Sequence, residues 1–100
     1  MPEETTVGYF QDGVMTIDQA LAEVKSWAGN PHQSSAYSNS ALAYANAMAM
    51  AKLEAVQMGL TADKGEHSQL LYVLSNLQYW RGDVAKRAKA AIKARIKELS

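Results

Sequence analysis

No cysteine occurs in this chain. Its absence excludes disulfides, thiolate metal centres and cysteine nucleophiles, and it fits a reducing, cytoplasmic setting. Proline is nearly missing too: two residues in one hundred, with six glycines. A chain so poor in breakers, with 48% hydrophobic residues, has the composition of a folded domain. Long apolar runs are lacking. The longest, Ala41 to Ala51, is too short to span a bilayer and carries Asn46 in its middle. The opening MPEETT is acidic and polar, the wrong chemistry for a secretory leader. We therefore expect a cytoplasmic protein with no membrane segment. One hundred residues suffice for one small core.

Net charge is absent only in total. Residues 1–80 hold three lysines against eight acids, a balance of −5. Residues 81–100 hold seven basic residues against Asp83 and Glu98, a balance of +5. Such a division directs the basic end toward an anion, or toward the acidic part of its own or a sister chain.

The apolar spacing is helical almost throughout. Thr16 with Gln19 has the capping-box spacing, and Ile17, Ala20, Leu21, Val24 and Ala28 follow at helical intervals beside Trp27. Gly29-Asn30-Pro31 ends that helix, with glycine suited to a left-handed exit. Ser34 or Ser35 caps a second helix, predicted to run to about Met58 and stop at Gly59. Alanine fills every odd position from 41 to 51. Period two resembles a strand, but alanine favours helix above all other residues. Wound as a helix, the segment is apolar on two sides, the pattern of a central or interfacial helix. Tyr37, Tyr44, Met48 and Leu53 are the expected contacts in a homo-oligomer.

Asp63 with Glu66 repeats the capping-box spacing ahead of a third helix, whose core stripe is Leu70, Val73, Leu74 and Leu77. Tyr72 and Tyr79 share another face, seven residues apart. Gly82 breaks the chain and Asp83 is placed to cap a fourth helix with Val84, Ala85, Ala88, Ile92, Ile96 and Leu99 on its apolar face. The expected fold is all-α: a small antiparallel bundle of about four helices over residues 16–100, after an irregular arm over residues 1–15. In that arm either Asp12-Gly13 sets a turn or small hairpin, or an irregular segment packs Tyr9 and Phe10 on the core.

Catalytic constellations are wanting. His32 falls in a linker and His67 near a helix start, and neither has a second histidine one turn away to form a metal pair. There is no glycine-rich phosphate loop. The expectation is a protein without enzymatic activity, metal or cofactor. Arg81-Gly82-Asp83 spells an adhesion tripeptide but serves better as punctuation between helices.

Two features point to binding. Lys86, Lys89, Lys93 and Lys97 form a ridge opposite the apolar face of the last helix, with few acids to answer it. Ordinary solvated lysines are the bland alternative. Tyr79, Trp80, Arg81 and Arg87 gather at the Gly82 corner, where aromatic faces stack on bases and arginine forks grip phosphate or carboxylate. Packing of Trp80 into the core is the competing reading there. Arg95 lies inside the apolar sector, laid along it with its head in water, paired with an acid on another helix, or in contact with a ligand.

Residues Leu74 to Lys86, LSNLQYWRGDVAK, resemble the end of small helical proteins encoded by phages and prophages: a leucine-rich helix, Trp-Arg-Gly, then an alanine- and lysine-rich helix. The resemblance implies a small accessory protein acting on host machinery or defence. The function expected is capture of an anionic target through Tyr79, Trp80, Arg81, Lys86, Arg87, Lys89, Lys93 and Lys97. The target is a host protein surface or a phosphate-bearing small molecule such as a nucleotide. Nucleic-acid binding by the basic helix and a purely structural assembly role are the alternatives.

Overall fold

A computed structural model describes residues 15–100, and these are helical with no strand among them. Five α-helices follow one another: α1 (Ile17–Ala28), α2 (Ala36–Asn46), α3 (Met48–Gln57), α4 (Ala62–Ser75) and α5 (Asp83–Glu98). A short 3-10 turn, Pro31–Gln33, links α1 to α2. The expected arm, with its Asp12-Gly13 turn and the packing of Tyr9 and Phe10, lies outside the described residues except for Met15, which is buried.

The helix starts follow side-chain chemistry. Thr16 and Gln19 form the expected capping box, with each side chain bonded to the other's backbone N–H at 3.1 and 2.9 Å. Ser35 does the same with Ser38 before α2. The other two predicted caps are not used. Thr61, not Asp63, caps α4 by accepting from the Lys64 N–H at 3.2 Å. Asp83 is the first residue of α5 and pairs with Arg87 at 3.1 Å, while Gly82 takes the cap position at φ 111°. The stop after α1 is as placed, although Gly29 stays right-handed at φ −81°.

The single long second helix is two helices. It breaks at Ala47, and the reason comes from another part of the chain. The Gln69 side-chain amide on α4 donates to the Tyr44 carbonyl at 2.9 Å. A side chain that satisfies a backbone carbonyl from outside releases it from the helical ladder and allows a kink. Gly59 ends α3 as predicted, at φ 84°. Its N–H bonds the Val56 carbonyl, and the Leu60 N–H reaches back to Ala55 at 2.8 Å, the pair of bonds of a Schellman stop.

Packing joins α1 to α5 and α2, α2 to α4, and α4 to α5, closing a ring of four helices. The α3 helix packs chiefly along α4. The smallest dimension, 17 Å, is the thickness of two helical layers. Val24, Leu70, Val73, Leu77 and Ile92 are fully buried between them, among Ala20, Ala41, Ala45, Ala85 and Ala88. Alanine at these positions lets the helix axes come close. At Gly65 there is no room for a side chain: a Cβ there would lie 2.5 Å from the Ala51 carbonyl of α3.

Two tyrosine pairs fix the alignment of α2 with α4 and the turn after it. Tyr44 stacks on Tyr72 with ring centres 5.0 Å apart, and Tyr37 meets Tyr79 edge-on at 4.9 Å. Both pairs are spaced by seven residues on each side, so one antiparallel register makes both. The same register, continued along α3, sets Gly65 opposite Ala51.

Candidate functional site

The basic residues of the last twenty positions fall into two settings. At the far end of α5 they are answered. Arg95 Nε donates to Glu66 Oε2 at 2.8 Å and Nη2 to Oε1 at 3.1 Å, while Nη1 reaches Glu98 at 3.1 Å. Lys52 of α3 adds its charge at 3.8 Å from Glu66. The Glu66 side chain is only 9% exposed. Its hydrogen bonds to Arg95 hold its carboxyl below the usual carboxylate range, against the opposing effect of burial, and the charges of Arg95 and Lys52 add to the lowering. The guanidinium is held above its already high value by the same bonds. Of the sequence readings of Arg95, the ion pair with an acid on another helix is formed, and with Lys52 it ties α5 to α4 and α3.

Glu66 was missed as its partner, yet it left a signal. Glu66, Leu70, Val73 and Leu77 fall on one helical stripe, so an acid extends the core face of α4 by one turn. Arg95 interrupts the apolar face of α5 in the same way. Opposite charges that each interrupt an apolar stripe on two different helices satisfy one another's burial.

At the near end of α5, the Gly82 corner separates the four aromatic and arginine residues expected together. Trp80 is 7% exposed and stacks on Trp27, ring centres 5.2 Å apart and planes 19° from parallel. Its face is spent on the core. Tyr79 turns the other way, exposed, against Tyr37. Arg87 pairs with Asp83 and lies beside Met15, Thr16 and Ile17, where α1 meets α5. Arg81 is exposed.

What the corner does assemble is cationic. Arg81, Lys86 and Lys89 line a concavity of about 310 Å³ together with Gln78, Trp80, Gly82 and Ala85. No acid among the described residues lines it. Lys89 is half-buried, and its ammonium donates to the Trp80 carbonyl at 2.6 Å. This bond bridges α5 to the turn before it and anchors one cation at the concavity. Burial lowers the Lys89 pKa, and the charges of Arg81 and Lys93 lower it further. Those like charges disfavour the protonated ammonium. Lys93 and Lys97 are exposed further along the helix.

Tyr44 and Met48, expected at a subunit contact, pack against the chain's own core. Tyr37 is claimed in part by Tyr79, and Leu53 is half exposed. His32 is exposed in the 3-10 turn, and His67 is partly exposed, 3.4 Å from the Ser100 hydroxyl. Among the described residues no three His, Asp or Glu side chains gather to hold a metal ion, and no helix is long and apolar enough to cross a membrane.

Comparisons with protein-family models, with curated proteins and with solved structures find no match to this chain.

Proposed function

We propose that this chain is a non-enzymatic binding protein that takes an anionic group at the Gly82 corner. The observation that carries the reading is the concavity lined by Arg81, Lys86 and Lys89 with no acid in its described lining. Cations crowded around one space favour a ligand that removes their repulsion. A phosphate accepts from an arginine fork and from ammonium groups together. A concavity of about 310 Å³ is at the small end of ligand sites. It suits a phosphate group of a nucleotide, or an acidic side chain on a protein surface, more than a whole large ligand. Trp80 acts here as the floor and through its carbonyl, which accepts from the Lys89 ammonium, not as a stacking platform. Lys93 and Lys97 extend the positive field along α5 and steer the anion in. In this reading the ring of α1, α2, α4 and α5 is a small antiparallel bundle that holds the corner rigid. The phage-like resemblance of Leu74 to Lys86 is in keeping with an accessory factor aimed at host components.

A titration with ATP and with inorganic pyrophosphate at low salt, followed by thermal denaturation, tests this. The melting temperature rises for the parent chain and for Lys93→Ala/Lys97→Ala. It does not rise for Arg81→Ala/Lys86→Ala. An equal rise in both double variants contradicts the corner as the site. A steep fall of affinity with salt for any duplex, with no response to pyrophosphate, assigns α5 to nucleic acid instead.

A further inference from the structure

We propose that Lys89 is a nucleophilic lysine that takes the acyl group of an acyl phosphate seated in the Gly82 corner. The inference rests on the reading of that corner as an anion site and adds a chemical step to it. Arg81 and Lys86 supply charge at the wall of the concavity, and an acyl phosphate carries its charge at the phosphate end. Lys89 reaches the same space from the next turn of α5. A phosphate held by Arg81 and Lys86 leaves its acyl carbon in the same 310 Å³ as the Lys89 nitrogen, which makes the encounter intramolecular.

The setting of Lys89 is that of an activated amine. Its side chain is half-buried, whereas Lys86, Lys93 and Lys97 are exposed. Its nitrogen donates to the Trp80 carbonyl at 2.6 Å. A neutral amine still makes that bond with one N–H, so the nitrogen stays in place with its lone pair free to face the concavity. The charged groups that line the space with it, Arg81 and Lys86, are both cations. The acid that opens α5, Asp83, is engaged by Arg87. Burial lowers the Lys89 pKa, with Arg81 and Lys93 adding to the effect, and this enlarges the share of neutral, nucleophilic amine.

The step balances with no further reactant. The Lys89 nitrogen attacks the acyl carbon. A C–N bond forms and the bond from that carbon to the phosphate oxygen breaks. The departing phosphate takes the surplus proton of the nitrogen and leaves as hydrogen phosphate. The product amide keeps an N–H for the Trp80 carbonyl but carries no charge. Acylation therefore removes one of the three cations of the concavity and weakens its hold on the next anion.

The probe is acetyl phosphate, beside a neutral acylating ester, N-acetoxysuccinimide. The rate of acetylation at each lysine of the full chain is read by peptide mass spectrometry. With acetyl phosphate, Lys89 is expected to react about tenfold faster than Lys93 and Lys97, and pyrophosphate suppresses the reaction at Lys89 alone. Arg81→Ala, at an exposed position, lowers this preference far more with acetyl phosphate than with the neutral ester. Lys89 reacting no faster than Lys93 and Lys97 with either reagent overturns the inference. If the melting temperature still rises with pyrophosphate in that case, the anion site itself stands. A Lys89 preference that pyrophosphate does not suppress overturns the phosphate-guided step. If pyrophosphate also leaves the melting temperature unchanged, the anion site falls with it.

Discussion

The two ends of α5 carry the same kinds of side chain and treat them in opposite ways. At the C-terminal end Arg95 has a carboxylate on each side, and its charge is absorbed in joining three helices. At the N-terminal end Arg81, Lys86 and Lys89 crowd a concavity with no acid in its described lining. Charge that is answered within the chain stabilises it. Charge left unanswered beside a defined space costs a little stability and is available to a ligand. The basic composition of the last twenty residues is common to both ends. Only the acids contributed by other helices tell them apart.

Substitutions separate the two roles, and the largest effect falls on a residue that lies between them. Trp80→Ala removes a buried ring from its stack on Trp27 and is expected to cost about 3–5 kcal/mol in denaturant unfolding. A loss below about 1 kcal/mol would show that the ring is not part of the core.

Next is the answered end. Glu66→Gln weakens the bidentate pair and leaves the Arg95 charge partly unsatisfied, an expected cost of about 2 kcal/mol at neutral pH. Its pH dependence has a definite sign. The folded carboxyl titrates below the ordinary glutamate value of the unfolded chain, so its stabilisation is fully present above that ordinary value. It is lost as the pH falls through the lower, folded value. The parent chain therefore loses stability on acidification more steeply than Glu66→Gln, and the two unfolding curves converge in acid. Parallel curves would show that the pair contributes nothing specific.

The smallest effect on stability belongs to the unanswered end. Arg81→Ala is expected to change unfolding free energy by less than about 0.5 kcal/mol, because its side chain is exposed. A large loss there would mean that Arg81 serves the fold after all, and the contrast between the two ends would fail.

Much of the fold was legible from spacing. The first cap, the Gly59 stop and the stripe of Leu70, Val73 and Leu77 all follow from local periodicity and stand where the sequence placed them. The break at Ala47 did not announce itself, because Asn46 aside the alanines and methionines around it favour helix, and the cause, Gln69, is more than twenty positions away. The predicted cap at Asp63 failed for a related reason. Its Glu66 partner is drawn into the interior by Arg95, and Thr61 takes the cap instead. The corner was legible in composition but not in geometry. Tyr79 and Trp80 are adjacent in sequence, and in the turn between α4 and α5 they point apart. One therefore enters the core and the other meets Tyr37. Lys89 belongs to the lysine ridge by spacing, yet a single carbonyl bends it inward to the concavity.

The central claim is that the cations at the two ends of α5 differ in availability. Nuclear magnetic resonance of the isotopically labelled chain, titrated with pyrophosphate at low salt, tests it most directly. The account predicts saturable shifts at the Arg81 side chain, the Lys86 and Lys89 ammonium groups and the amides around Gly82, with the Arg95 side chain unmoved. Shifts of equal size at Arg95, or none at the Gly82 corner, would contradict it.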